Sequence, residues 1–372
     1  MAKKEEKMNN LEPSPFSGEG KAKLKAEATV ETPKKKDWLS MLQKDADKLV
    51  IGSRDPWTAH FPSPGLNYLF GKEQGMRAGY SLLLYGPPKS GKSLLAFAAA
   101  GQLHKEDPEA IVLHFDTEYR DNVDTWVEVF GIDKKRWRSF QTNNPVDIFD
   151  YIATTVKAML QEGAPIKMII IDSLAMINYP KEANKKQSTN FVIGDAGAYL
   201  SGAMKMIIPV MRSFKVAMIF CQHVRQNMDP DTKDWREWII PGGMALKHSI
   251  EYWMIAQKIE SKKTKQFDSD RKDGSGNLIQ TGHAIRVKME ENSLGPQNRA
   301  VEIDLSYTRG LINQTTEIAQ LAVNMGIVEI NGSWVTFNGQ KWQGVENFGL
   351  FLEGDEELQR TLMRRIKEND LT

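Results

Sequence analysis

Cysteine is almost missing from this chain: Cys221 stands alone among 372 residues. That excludes an intramolecular disulfide framework and fits a reducing, cytoplasmic setting. Long apolar runs are missing too. No stretch approaches the ~20 residues that a membrane-spanning helix needs. No apolar segment follows the opening Met1-Ala-Lys-Lys-Glu-Glu6, as a secretory leader would require. A strong charge of one sign is also lacking. The formal net charge is +1, so any nucleic-acid partner must be met by local patches. No internal repeat is visible.

What is present suits one substantial core and a smaller second domain, at 41% hydrophobic content. Residues 1–36 are rich in Lys, Glu, Pro, Ser and Gly and read as a flexible tail, too poor in apolar surface to offset ordering entropy. Its Lys34-Lys35-Lys36 run is either a phosphate contact or simply solvated. Asp37 to Leu49 has the spacing of a short amphipathic helix, with Trp38, Leu39, Leu42 and Leu49 on one side. Residues 37–62 are then a helix and linker.

From there the periodicity changes. Ser81–Tyr85, Ile111–Phe115, Met168–Ile171 and Ala217–Cys221 are short, wholly apolar runs, interleaved with helical patterns at Ser93–His104 and about 146–161. This predicts an α/β fold with a mostly parallel sheet covered by helices on both faces. Polar residues follow each strand's carboxyl end, where such sheets bind ligands. Alternating strands are expected at 284–289 and 300–305, with a polar hairpin tip over Asp268–Gly276. Residues 314–372 read as a small α+β domain: a helix over Glu317–Asn324, a hairpin turning at Asn331-Gly332, and a terminal helix over Glu356–Glu368.

Gly86-Pro-Pro-Lys-Ser-Gly-Lys-Ser93 fits G-x-x-x-x-G-K-[ST] without mismatch. The candidate nucleotide-binding residues are Gly86, Pro87, Pro88, Lys89, Ser90, Gly91, Lys92, Ser93 and Leu94. Gly86 and Gly91 let the backbone curl around phosphate, and the amides at Lys89–Ser93 face the anion at a helix N-terminus. Lys92 should reach the β and γ phosphates, and Ser93 should coordinate Mg²⁺. ATP with Mg²⁺ is the expected cofactor. Asp172, ending its strand, is the second candidate metal residue, with helix capping as the alternative. Glu118, just past the strand ending at Phe115, could orient or deprotonate an attacking water.

In order along the chain, four segments resemble the RecA recombinase family, most of all its phage members of the UvsX type. They are the P-loop; Asp116-Thr-Glu118; Ile171-Asp172-Ser173 with Phe191-Val-Ile-Gly-Asp195; and Pro241-Gly-Gly-Met-Ala-Leu-Lys247. Gly332-Ser-Trp-Val-Thr-Phe-Asn-Gly339 is similar to the family's small C-terminal domain. The resemblance covers about residues 60 to 368. It implies a RecA-like P-loop ATPase core at 63–313, a DNA-dependent, Mg²⁺-dependent ATPase, and a short N-terminal segment, 37–62, that contacts a neighbouring subunit. It also implies a helical homo-oligomeric filament on single-stranded DNA that pairs with double-stranded DNA, helped by single-strand-binding and mediator proteins. For a phage protein the setting is the host cell's cytoplasm.

Two disordered loops lining the filament axis are implied near 179–194 and 225–241. The candidate DNA contacts are Lys181, Lys185, Lys186, Arg225, Lys233, Trp235, Arg236, Trp238 and Lys247. Cations give sequence-independent affinity for phosphate, and indole faces can stack on bases; packing of the tryptophans on the protein surface is the alternative. His223 falls where the family places its γ-phosphate sensor, giving Glu118, Lys92 and His223 as the candidate catalytic set. The chain departs from the family at Glu290 and Asn292, where lysines usually reach the neighbour's nucleotide. Lys288 or Arg299 could then do that work by another route. Two other readings stay open: a RecA-core ring helicase, and a weakly hydrolysing paralogue that acts by binding.

Overall fold

Short apolar runs ended by glycine or an acid become the centre of one large sheet. A computed structural model describes residues 55–120, 123–179, 194–226, 238–241, 243–260, 265–272 and 275–370. All of these lie in one compact unit, Val50–Thr372. Six strands run parallel: β1 (Ser81–Gly86), β2 (Ile111–Asp116), β3 (Trp137–Gln141), β4 (Ile166–Asp172), β5 (Ala217–His223) and β6 (Tyr252–Lys258). Four antiparallel strands extend it: β7 (Lys265–Lys272), β8 (Leu278–Asn292), β9 (Ala300–Ser306) and β10 (Gly310–Ile312). The spatial order is β10-β9-β8-β6-β1-β5-β4-β2-β3, with β7 paired to β8. The sheet is thus mixed, with a parallel centre.

Alternate residues of β1 enter different cores. Leu82 and Leu84 pack with Leu95, Ala99 and Leu103 of helix α1 (Lys92–Glu106). Leu83 and Tyr85 pack with Leu200, Met204 and Ile207 of helix α2 (Gly194–Ser213). Burial on both faces is why these strands are continuously apolar. The segment expected to be helical near 146–161 is so, with π-type hydrogen bonding over Val146–Asp150 and Ile152–Val156 before α-helix at Lys157–Gln161.

A third core lies at the C-terminal end. Ile318, Ala319, Leu321 and Ala322 of helix α3 (Gln314–Asn324) pack with Val335, Phe337, Phe348, Leu352, Leu362 and Ile366. The expected hairpin and terminal helix are present, as Glu329–Asn331 paired to Trp334–Phe337 and Glu356–Asn369. A third strand, Gln340–Gln343, and a helix, Val345–Glu353, were not anticipated.

One reading is corrected. Asp268–Gly276 is not all hairpin tip, because β7 continues to Lys272, which pairs with Leu278. Main-chain pairing holds this ribbon, and polar composition does not announce that. The expected tail and the Asp37–Leu49 helix lie outside the described residues. No helix among the described residues is long and apolar enough to cross a membrane.

Candidate active site

Strand register assembles the site. Gly86, the last residue of β1, stands opposite His223, the last of β5. Asp116 of β2 stands opposite Asp172 of β4. Parallel pairing therefore gathers the P-loop, both acidic strand ends and His223 at one carboxyl edge. A cavity of about 650 Å³ opens there, lined by Pro88 to Leu94, Glu118, Arg120 and His223, together with Trp126, Lys258, His283 and Tyr307.

The loop glycines are sterically required. A Cβ on Gly86 would meet Ala256 O at 2.2 Å, and one on Gly91, at φ +94°, would meet Ile285 Cδ1 at 2.4 Å. Lys92 is buried and folded back onto its own loop, its Nζ donating to Gly86 O at 3.1 Å and Pro87 O at 2.8 Å. Burial depresses its pKa. A phosphate in the loop would compete with those two carbonyls for the ammonium. Gly86 and Pro87 do not line the cavity; they hold Lys92 at its base.

Asp116 shapes the loop after β2. Its Oδ1 accepts from Glu118 N at 3.1 Å and its Oδ2 from Arg120 N at 2.9 Å, an Asx-type turn. Thr117 Oγ1 donates to Ser173 O at 2.7 Å and accepts from Ser173 N at 2.7 Å, clamping that loop to the end of β4. Glu118 and Arg120 are thereby turned toward the P-loop.

Glu118 meets His223 Nε2 at 2.7 Å through Oε1, and Arg120 at 2.6 and 3.0 Å through Oε2. Burial alone would raise the Glu118 pKa, but the hydrogen bonds from His223 and Arg120 prevail and hold it down to about 2. An ionised carboxylate only accepts, so His223 donates from Nε2. Asp172 is buried, and desolvation raises its pKa against the pull of Arg120. Arg120 Nη1 lies 3.2 Å from Asp172 Oδ2 and 2.5 Å from Ser93 Oγ.

Sequence reasoning named Glu118, Asp172, Ser93 and His223 but missed Arg120, which bonds the first three. The only signal was a cation two residues after Glu118. Trp126, His283 and Tyr307, with His283 Nδ1 3.0 Å from the Tyr307 hydroxyl, were missed as well. They line the same cavity but come from separate elements, Trp126 from the helix Val123–Val129 and His283 from β8.

The cluster retains bonding capacity. Asp172 Oδ1, Ser173 Oγ and His223 Nδ1 are buried with no hydrogen-bond partner. Among the described residues no group of three or more His, Cys, Asp or Glu could hold a metal ion. A divalent ion would have to share Ser93 and Asp172 with ligand oxygens, which suits Mg²⁺ better than an all-protein cage. The donors present fit a metal–nucleotide complex.

The expected DNA contacts divide. Lys181, Lys185, Lys186, Lys233, Trp235 and Arg236 lie outside the described residues. Arg225 and Lys247 are exposed, the latter on the helix Gly243–Ser249. The ends of the second expected loop are not irregular: Arg225–Gln226 pairs antiparallel with Trp238–Ile239. Of the departures, Glu290 accepts from the Tyr85 hydroxyl and lies 3.9 Å from Lys288 Nζ, while Asn292 is buried and caps Leu294 N. Arg299 is committed to Asp370, at 2.6 and 2.8 Å, so within this chain it serves the C-terminal end.

Comparison with known proteins agrees with this arrangement. The family model for the RecA N-terminal domain matches residues 62–312. Protein RecA of Mesomycoplasma hyopneumoniae (strain 7448) is 26% identical over 306 residues, covering 79% of this chain and 82% of that protein. Protein RecA of Sinorhizobium fredii is 26% identical over 345 residues, covering 89% and 87%. That of Desulforapulum autotrophicum is 25% identical over 300 residues, covering 79% and 78%. With the family model matching well over half its length, this chain belongs to the RecA family.

Proposed function

We propose that the chain is a DNA-dependent ATPase that forms helical filaments on single-stranded DNA and pairs them with homologous duplex, as a recombinase of the phage type, working in the cytoplasm. The observation that carries this reading is the convergence of Lys92, Ser93, Glu118 and His223 on one cavity, with Asp172 buried behind it and joined to it through Arg120, and with His223 two residues before Arg225. A group touching the nucleotide is thereby joined through the main chain to the expected DNA-binding segment, which makes a nucleotide switch of DNA affinity mechanically simple.

In this reading the P-loop amides and Lys92 bind the phosphates, and Ser93 and Asp172 hold Mg²⁺, which when bound offsets charge on them. Glu118 positions water, and His223, released from Glu118, senses the terminal phosphate. Catalysis is positioning plus charge stabilisation. Exposed Arg225 and Lys247, with the cations and tryptophans of 179–194 and 225–241, supply the contact to DNA. Single-strand-binding and mediator proteins would assist loading. Residues 37–62 serve as the subunit contact, 63–313 as the motor and 314–372 as the accessory domain.

A weakly hydrolysing paralogue is the second reading, favoured by Glu290 and Asn292 being engaged within the chain. Electron microscopy with single-stranded DNA and a slowly hydrolysed ATP analogue decides among them. Continuous filaments that need nucleotide, and that vanish in Lys92→Ala, are expected. Closed rings would point to a helicase, and scattered particles to the paralogue.

A further inference from the structure

The position of Arg120 is not explained by nucleotide binding alone. Its guanidinium holds one oxygen each of Ser93 and Asp172, the two residues assigned above to a divalent ion. Nη1 stands 2.5 Å from Ser93 Oγ and 3.2 Å from Asp172 Oδ2, while Nη2 and Nε both reach Glu118 Oε2. Mg²⁺ binds oxygen at about 2.1 Å and demands near-octahedral geometry. Oxygens that accept from a guanidinium at these distances cannot present the same lone pairs to such an ion. At Ser93 Oγ and Asp172 Oδ2 the two cations therefore compete, while Asp172 Oδ1 is left without a partner.

We propose that Arg120 is a built-in counter-ion of the site that competes with divalent metal for Ser93 and Asp172, so that a metal–nucleotide complex enters by turning the guanidinium out. This rests on the assignment of Ser93 and Asp172 as the metal-holding pair made above. Three features suit the role. The guanidinium stays charged at any physiological pH, so displacement alone removes it. Its side chain is 32% exposed beside an Asp172 side chain at 4%, so it can leave by side-chain rotation while the carboxylate stays fixed. Its main chain is tethered separately, by Asp116 Oδ2 to Arg120 N at 2.9 Å, so the turn survives the departure.

The consequence is twofold. Without metal, Arg120 keeps two neighbouring carboxylates compensated, and an uncompensated buried charge is costly. On its departure Glu118 loses the partner at Oε2 and keeps His223 at Oε1, so that oxygen becomes free to accept from water.

Thermal melting of the full chain with Mg²⁺ alone, without nucleotide, tests this in the wild type, Arg120→Gln and Arg120→Lys. Mg²⁺ is expected to raise the melting temperature of Arg120→Gln at about tenfold lower concentration than in the wild type, equivalent to about 1.4 kcal/mol. Arg120→Lys, which keeps the charge without the fork, should fall between and carries the comparison if Arg120→Gln does not fold. Adding Asp172→Asn to Arg120→Gln should abolish the Mg²⁺ response. A fluorescent ATP analogue titrated at varied Mg²⁺ should show the same shift of midpoint. Identical Mg²⁺ responses in all three proteins, with analogue binding intact, would overturn the role of Arg120 and leave the nucleotide site standing. No analogue binding at any Mg²⁺ concentration would overturn the site assignment, and this inference with it.

Discussion

Two arginines in this molecule each fork onto carboxylate, and they are built for opposite ends. Arg299 meets Asp370 through both nitrogens, at 2.6 and 2.8 Å, donates to Tyr68 O at 3.0 Å, and lies over the Tyr68 ring at 4.2 Å. The Arg299 side chain is 15% exposed and that of Asp370 not at all. Neither residue has a buried polar atom lacking a partner. Arg120 spreads its donors over three different residues and leaves Asp172 Oδ1 and His223 Nδ1 unpartnered nearby. A satisfied, enclosed fork is a fastening. A divided, half-open fork beside unfilled acceptors is a site prepared for exchange. The chemistry of the pair is shared; burial and satisfaction decide which role results.

The comparison is sharpest where the effects are largest. Arg299→Ala should cost about 3–5 kcal/mol, because it strands the buried Asp370 carboxylate. Denaturant unfolding monitored alongside limited proteolysis should show the C-terminal helix released first, and Mg²⁺ should recover none of it. Unchanged stability would mean the fork is ornamental. Glu118→Gln should slow hydrolysis by about 2–4 kcal/mol of barrier while nucleotide binding persists. Single-turnover rates at saturating ATP check this; a normal rate would transfer the water-positioning role to another group.

Glu317 offers a third, intermediate case. Its Oε2 accepts from Ser63 Oγ at 2.5 Å and Gly65 N at 2.9 Å, and its Oε1 is buried without a partner. Burial, despite those two donors, pushes its pKa from 4.5 up to about 8. The folded state therefore keeps a proton that the unfolded chain releases. The stability this confers is complete below about pH 4.5 and drains away as pH rises through about 8. Between those limits Glu317→Gln should flatten the decline, by roughly 1–3 kcal/mol near neutral pH, in melts run at stepped pH. A decline of equal slope in the variant would assign it elsewhere. Arg120→Gln without metal should cost less than Arg299→Ala, about 1–3 kcal/mol of stability measured by urea unfolding. It uncovers the buried Asp172 carboxylate, but Arg120 is itself 32% exposed and water can partly take its place. Unlike the loss at Arg299, this one should be restored by Mg²⁺.

Much of this was readable from residues alone where the signal is local. The P-loop needs consecutive residues, and β1, β2, β4 and β5 announced themselves by unbroken apolar runs because both faces of the sheet are covered. The extra C-terminal strand and helix were missed since Trp342, Phe348 and Phe351 pack as an aromatic group that breaks any simple period. The ribbon of β7 and β8 was shortened in the reading because main-chain pairing carries it, and its described end exposes Leu278 and Ile279.

By itself, then, the sequence determined the phosphate-binding loop, the parallel centre of the sheet and the acidic residues at its carboxyl edge, all set by chain-local sterics and burial. Only the tertiary structure decided their company. His223 reaches Glu118 across 105 residues, and Arg120 reaches Asp172 across 52. Those meetings follow from which strands lie side by side and in what register, and register is fixed by the packing of the whole sheet.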